Sequence, residues 1–480
     1  SILLTIYFIT QGVLTMKKTL VALAAAAAIS PAAFAGDVSW GGDANVEGFM
    51  SRSENSSATA SDNRGYTSRI RLKGTFKTDG NVSVNTRMIL NDSNWEGDNR
   101  SNGVQGVYQN AANDAVAVDY GYIQAPIAGW TFRFGRQVAN WANCFLTCDD
   151  RRDRILAMKR FGGTTVILLN DKRAGGSITG AVSATYTMTD TNGDGYITSA
   201  DNPTVDITTA PKSASNSETV GTGEGDLYTA AFVGVVKGWQ WGLLLGKWIG
   251  EDNSEDQYVY NSDYGLGITY KGGYALDEVY AISPFVKGKA GPVKLEGAIN
   301  ILGGGNDDYA LFADTAVSAY LKAGMEVGGV NLEAQGIIVD GGGLIAPGFD
   351  TFSMLINNSP DNGVSNVSVE NIGGLGVWNV LGGALKYTYA ADEWMLAARA
   401  SGKAGKIGWK ASVGYMATEN TNTGFEQDYT ITTLDGGVTY SVAKTTEVYL
   451  NAAIGSKDDA TATNADLDYK AATVGINTTF

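Results

Sequence analysis

The sequence predicts an all-β protein, a transmembrane antiparallel β-barrel of about 16–18 strands. Three observations carry that expectation. Apolar and polar residues alternate with period 2 over segments of about ten residues, the length a tilted strand needs to cross a bilayer. Tight Gly-containing turns alternate with long polar loops, which gives the molecule two unlike ends. Composition agrees: the 480 residues include 62 glycines, 23 tyrosines and ten tryptophans with 18% charged, whereas ordinary soluble chains hold about 7% Gly and about 25% charged residues.

The first element in chain order is an export signal. From Met16, Lys17 and Lys18 precede the apolar run Leu20–Ile29, then Ser30-Pro31 and the small-x-small triplet Ala33-Phe34-Ala35, so 16–35 reads as a secretory signal peptide cleaved before Gly36. The apolar run falls well short of the about 20 residues that a membrane-spanning helix requires. Residues 1–15 precede that start and read as translated upstream sequence, and residues 36–480 form the barrel.

After residue 35 the longest uninterrupted aliphatic runs are Val166-Ile167-Leu168-Leu169 and Leu243-Leu244-Leu245, too short for a transmembrane helix. Strands follow instead. Val293, Leu295, Gly297, Ile299 and Ile301 alternate with Lys294, Glu296, Ala298 and Asn300. The same pattern runs through Val330–Ile338, Ile407–Tyr415 and Val448–Ile454, each with one oily and one wet face. Lys287-Gly288-Lys289-Ala290-Gly291-Pro292, Val327-Gly328-Gly329-Val330 and Ser401-Gly402-Lys403-Ala404-Gly405-Lys406 read as tight hairpins, and 93–114, 189–225 and 341–379 as long loops. A β-sandwich or a secreted β-solenoid is the soluble alternative. A sandwich aims its apolar faces at one shared core, however, and seldom sustains so many strands of membrane length. Single-chain bacterial barrels have an even strand count, and 18 strands leave about 25 residues for each.

Composition also excludes chemistry. With no histidine in the chain, Ser-His-Asp hydrolysis, His-ligated zinc and the usual base near neutral pH are all removed; carboxylate or Cys chemistry stays open, but no enzymatic activity is expected. A formal charge of −15 argues against nucleic acid as a partner, since phosphate binding needs a basic surface.

The last strand, Tyr469–Phe480, places Ala472, Val474, Ile476, Thr478 and Phe480 on one face. With Thr473, Gly475 and the final Phe480, it resembles the terminal signal by which the outer-membrane assembly machinery of diderm bacteria recognises barrels. Thr478 departs from the pattern, which usually has a hydrophobic residue there. Together with the signal peptide, the glycine and tyrosine content and the alternation, 36–480 resembles a general bacterial porin. The resemblance implies a homotrimer in the outer membrane of a Gram-negative bacterium, surrounded by lipid, through which ions and small hydrophilic solutes diffuse passively.

It also implies a constriction, at which the third external loop folds into the barrel and faces basic residues on the wall. Counting loops outward from Gly36 makes 138–153 that third loop. Alternation puts Ile70, Leu72 and Phe76 toward lipid and Arg69, Arg71 and Lys73 toward the lumen, and likewise Arg87 and Arg133. An arginine on the lipid face at mid-depth costs about 2–4 kcal/mol. Asp149, Asp150 and Asp153 are the expected opposing carboxylates. Alternatively, these Asp and Arg residues pair merely to hold the loop down, and Arg151, Arg152 and Arg154 beside them leave the charge preference open.

Cys144 and Cys148 in the same loop are expected to form a disulfide in an oxidising compartment, fixing a bend; two thiols without histidine make a poor metal site. Residues 190–201 match the twelve-residue calcium loop, with Asp190, Asn192, Asp194, Thr198 and Asp201 offering side-chain oxygens, Tyr196 a carbonyl, and Gly195 the tight turn. Asp201 stands where a bidentate Glu is usual, and an acidic turn without metal is the other reading. A bound Ca2+ would brace the external insert 189–225. A calcium-braced surface-structural or adhesive barrel is therefore the alternative function.

Overall fold

Period-2 alternation forces side chains to opposite faces of a strand, and the protein satisfies both faces by closing its sheet on itself. The computed structural model describes residues 36–480 except 56–57, 79, 95–116, 175–224, 251, 262–265, 274–277, 305–314, 342, 347, 358–371, 373–390, 421–427 and 460–465. The signal segment 16–35, the upstream residues 1–15 and the calcium-type loop 190–201 lie outside the described residues.

The first wall comprises β1 (Val38–Asn55), β2 (Ala58–Lys77), β3 (Ser83–Asn94), β4 (Ala117–Ile127) and β5 (Trp130–Trp141). Next come β6 (Thr147–Phe161), β7 (Thr164–Ala174), β8 (Gly225–Val236) and β9 (Trp239–Gly250). A separate hairpin, β10 (Asp252–Asn261) and β11 (Leu266–Gly273), interrupts the meander. It resumes with β12 (Val279–Ala290), β13 (Val293–Gly304), β14 (Ala316–Val327), β15 (Val330–Asp340) and β16 (Ala391–Ala404). The chain ends with β17 (Ile407–Asn420), β18 (Tyr429–Ala443), β19 (Thr446–Asp459) and β20 (Leu467–Thr479).

Apart from β10 and β11, these strands form one 18-stranded sheet in which each pairs antiparallel with its chain neighbours and β9 pairs with β12. β1 pairs with both β2 and β20, so the sheet is a closed barrel. Closure leaves no strand edge to expose unpaired backbone groups to lipid. The count agrees with the expected range. Phe480 seals the seam, exchanging backbone hydrogen bonds with Gly42 at 2.8 and 3.1 Å.

One rim carries the short turns. Gly328 and Gly329 connect β14 to β15 with φ of 58° and 82°, the doubly left-handed turn whose twist matches an antiparallel hairpin. The opposite rim carries the long connections, including 95–116, 175–224 and 341–390. Outward-facing Leu321, Leu396, Leu434, Leu450 and Val474 are exposed, whereas their inward-facing neighbours Gln335, Ser412, Asn451 and Thr473 are buried. That polarity, apolar outside and polar inside, is the reverse of a soluble protein and fits a lipid surround.

The segment 138–153 differs from expectation. β5 continues to Trp141 and β6 begins at Thr147, so this connection is a five-residue tip, 142–146, rather than a long loop. Cross-strand pairing extends through Ala139↔Asp150 and Trp141↔Thr147, which satisfies backbone groups that a loop of that length would leave open.

Candidate pore lining

The lumen face of β1–β5 carries the charges. In register with Arg71, Asp43 accepts from its Nε at 2.6 Å and from Lys73 Nζ at 3.0 Å. Arg69 shares that face of β2. Lys73 stands directly opposite Arg87 on β3, a like-charged pair that would be destabilising unless each had its own anion. Arg87 indeed turns away, to Asp119 on β4, with its guanidinium 4.9 Å from the Tyr120 ring. Arg133 on β5 donates to the neutral Gln124 at 2.8 Å and lies 5.4 Å from the Tyr122 ring.

The expected acidic partners lie on β6, in the same wall. Asp149 meets Arg151 at 2.9 Å and Arg87 at 3.7 Å, Asp150 meets Arg152 at 2.7 Å, and exposed Asp153 is 3.8 Å from Arg136. Arg151 also grips Asp119 with two hydrogen bonds, at 2.6 and 3.2 Å. The arrangement is an ion-pair network running along adjacent strands, with Arg87 and Arg151 sharing Asp119, and not two charged walls facing each other across water. Asp43, Asp119 and Asp171 were not singled out in the sequence. Alternation gives Asp43 and Asp171 an inward side but not a partner, and Asp119 lies at a register shift between β3 and β4 that alternation does not reveal.

Cys144 and Cys148 are disulfide-bonded with Cα atoms 4.3 Å apart. Ala142, Asn143 and Cys144 all have left-handed φ, 52–70°, a costly conformation for residues with a Cβ. The tip carrying them reaches strands far away in the sheet. Trp141 Nε1 donates to the carbonyl of Ser283 on β12 at 3.0 Å, Asn143 Nδ2 to Tyr320 Oη on β14 at 3.4 Å, and Asn300 Nδ2 on β13 to the Phe145 carbonyl at 3.4 Å. Phe145 is fully buried against Tyr320 and Phe349.

Most of the interior body described comes from the seventh connection on that rim, within 341–390. Its segment 343–357 carries Ile345, Phe349, Phe352, Met354, Leu355 and Ile356, all buried against lumen-facing Ile337, Met395, Met416, Ile431, Ala453 and Tyr469 of β15–β20. Polar contacts fix it in place. Asp435 Oδ1 accepts from Met354 N at 2.7 Å, Ser412 Oγ donates to the Phe352 carbonyl at 2.5 Å, and Asp350 meets Arg399 at 3.0 Å. Ala346 N donates to the Phe145 carbonyl at 3.0 Å, joining segment and tip. The signal was present in the sequence as the run Phe352-Ser353-Met354-Leu355-Ile356, more apolar than the rest of its loop. β1–β5 remain uncovered by this body on at least part of their lumen face, where the Lys73 side chain is 46% exposed.

The terminal strand shows a local reason for its glycine. A Cβ on Gly475 would collide with the ring of Tyr449, whose Oη donates to Glu47 at 2.7 Å and accepts from Asn45 at 3.0 Å. Gly475 thus makes room for the inward polar contact that joins β19 to β1 across β20.

Fold and interior together define a class: an 18-stranded barrel of the outer-membrane channel type with a lumen partly filled by its own connections. Solved structures of that type are similar to it. The outer membrane protein OpdK of Pseudomonas aeruginosa matches with TM-score 0.51 and 12% identity, over 92% of this chain and 99% of that chain. The same protein with vanillate gives 0.50 at 12% identity over the same shares. OccK9 (OpdG) of that organism gives 0.50 at 12% identity, over 92% of this chain and 98% of its own. No protein-family model matches the chain, and no curated protein matches it. At this identity the likeness concerns the fold.

Proposed function

We propose that the protein is an outer-membrane porin of a Gram-negative bacterium, a water-filled channel for passive diffusion of ions and small hydrophilic solutes. One observation carries the reading: the barrel is closed, and its inner body packs on β12–β20 while charged side chains of β1–β5 keep contact with solvent. Arg69, Arg71, Lys73, Arg87 and Arg133 then line one side of the passage, with Asp149, Asp150 and Asp153 tuning the field through their arginine partners. Lipid surrounds the apolar belt, the assembly machinery reads the terminal strand, and three copies associate as in the porins the sequence resembles. Purified protein added to a planar bilayer should give stepwise ionic conductance, and replacing 343–356 by a short Gly-Ser linker should raise the step severalfold. Absence of steps from folded, heat-modifiable protein would end the channel reading.

The calcium site belongs to the same proposal. Asp190, Asn192, Asp194, Tyr196, Thr198 and Asp201 hold one Ca2+ that braces the external insert, because their spacing supplies the oxygen set a Ca2+ loop needs. Chelation, or Asp194→Ala, should make 189–225 protease-sensitive while the barrel stays intact. Unchanged cleavage leaves an acidic turn without metal.

A further inference from the structure

The lumen face of a solute channel is ordinarily polar, yet between β6 and β9 part of it is apolar. The two aliphatic runs mark the place: Leu168 and Leu245 point outward and are exposed, whereas Leu169 and Leu244 line a cavity of about 190 Å3 together with Leu156, Leu227, Trp248 and Leu344 of the inner segment. The cavity belongs to a different part of the wall from the arginines of β2, β3 and β5.

Three features set its chemistry. Its size suits a single aromatic ring, since a cavity of about 150 Å3 lined by Leu, Ile and Phe stays dry and takes up benzene. Trp248 is 6% exposed, and its indole Nε1 is buried without a hydrogen-bond partner, an unfavourable state that an acceptor on a bound molecule relieves. The charged groups of the lining, Arg152 and Arg154, are already matched. Asp171, fully buried, meets Arg152 at 3.0 Å and Arg154 at 2.7 Å, and Arg152 also meets Asp150 at 2.7 Å. Two guanidinium groups face two carboxylates, so an entering anion would lose its water without gaining an unmatched cation.

We propose that this cavity binds a small uncharged aromatic alcohol of phenol size, its ring among the leucines and its oxygen accepting from Trp248 Nε1. The site stands independently of conduction. Full-length protein in lipid nanodiscs tests it by fluorine NMR with 4-fluorophenol, fluorobenzene and 4-fluorobenzoate at neutral pH, using empty nanodiscs to subtract partition into lipid. The phenol should bind saturably and about tenfold more tightly than fluorobenzene, the difference one hydrogen bond to a buried donor supplies, and the benzoate should show no saturable binding in that range. Trp248→Phe should erase the advantage of phenol over fluorobenzene, and Ala231→Leu, which fills the cavity wall, should weaken both at least tenfold. Lack of a saturable phenol component, benzoate binding as tightly as phenol, or a phenol advantage that survives Trp248→Phe would each overturn the proposal. If Ala231→Leu does not fold, the three ligands on the unaltered protein still decide. Failure of the channel reading shows as lost conductance, which this binding measurement does not read.

Discussion

The wall from β1 to β5 and the wall from β6 to β9 are built on the same hairpin plan and present different chemistry to one lumen. On the first, many inward residues are polar or charged, and the Asp43–Arg71 pair stays about one-fifth exposed although Arg87 and Asp119 are buried. On the second, Leu156, Leu169, Leu227 and Leu244 face inward beside a sealed charge cluster, Asp171 having no exposure and Arg152 and Arg154 under 10%. The lesson is that closure of the barrel constrains only the outer face. Any inward pattern that satisfies its own polar groups is compatible with the fold, so the lumen can be divided into a charged lane and a leucine-rich pocket without altering a strand.

The sharpest way to break that comparison is to remove one carboxylate from each wall. Asp171→Ala takes the carboxylate from buried Arg154 and leaves Arg152 with Asp150 alone, and losing one partner of a buried ion pair costs about 3–5 kcal/mol. Asp43→Ala removes the carboxylate from one-fifth-exposed Arg71 and half-exposed Lys73, where solvent takes over part of its role, so the loss should be smaller. Thermal loss of the heat-modifiable folded band should therefore move far more for Asp171→Ala than for Asp43→Ala. Equal shifts would mean that water reaches the β6–β9 charges and that the two walls are alike.

A second test sharpens the charged lane. Arg87 is unsuitable for charge reversal because it is buried and bound to Asp119, so a Glu there would place two carboxylates together. Arg133, whose partner is a neutral amide, and half-exposed Lys73 are the informative positions. Converting both to Glu reverses two charges within about one Debye length, roughly 8 Å at physiological salt, of a permeating ion. Reversal potentials in a KCl gradient should move toward cations, on the order of severalfold in permeability ratio at about 0.1 M salt and less as salt rises. The same exchange at Lys403 and Lys406, on the short-turn rim, should do little. Equal shifts from both pairs would assign permeation to the net charge of −15 and not to the β1–β5 wall.

The difference between the walls also explains what was legible in the sequence. Strand identity, the short turns and the inward placement of Arg69, Arg71, Lys73, Arg87 and Arg133 follow from alternation, because lipid penalises any other register. The β6–β9 wall interrupts that alternation at 166–169 and 243–245, and a run with both faces apolar does not say what the inner face meets. The inner body was hidden for another reason. Residues 341–379 are rich in Gly, Asn and Asp, so average polarity marks them as a loop, while a few apolar side chains decide where that loop lies. The tip 142–146 reads as part of a longer loop because Cys144, Cys148 and the charges of 149–153 break alternation, although β5 and β6 still pair beside them.

The smallest effect is expected where the two walls meet, at the disulfide. Cys144 and Cys148 lie four residues apart, and closing so short a ring restricts the unfolded chain by only about 2 kcal/mol. What holds the tip against β12–β14 is Phe145, fully buried, together with the carbonyl that Ala346 and Asn300 both approach. Replacing both cysteines by Ser should thus lower stability by about 2 kcal/mol or less and leave the conductance step within about one-third of its original value. Phe145→Ala should cost about 3–5 kcal/mol, the loss for a large buried aromatic side chain, and should make the step noisy or larger as tip and inner segment separate. The two variants read the same tip, one through its covalent tie and one through its packing. A larger conductance change from the paired Ser substitution than from Phe145→Ala would show that the covalent bend, and not the buried ring, sets the position of the tip.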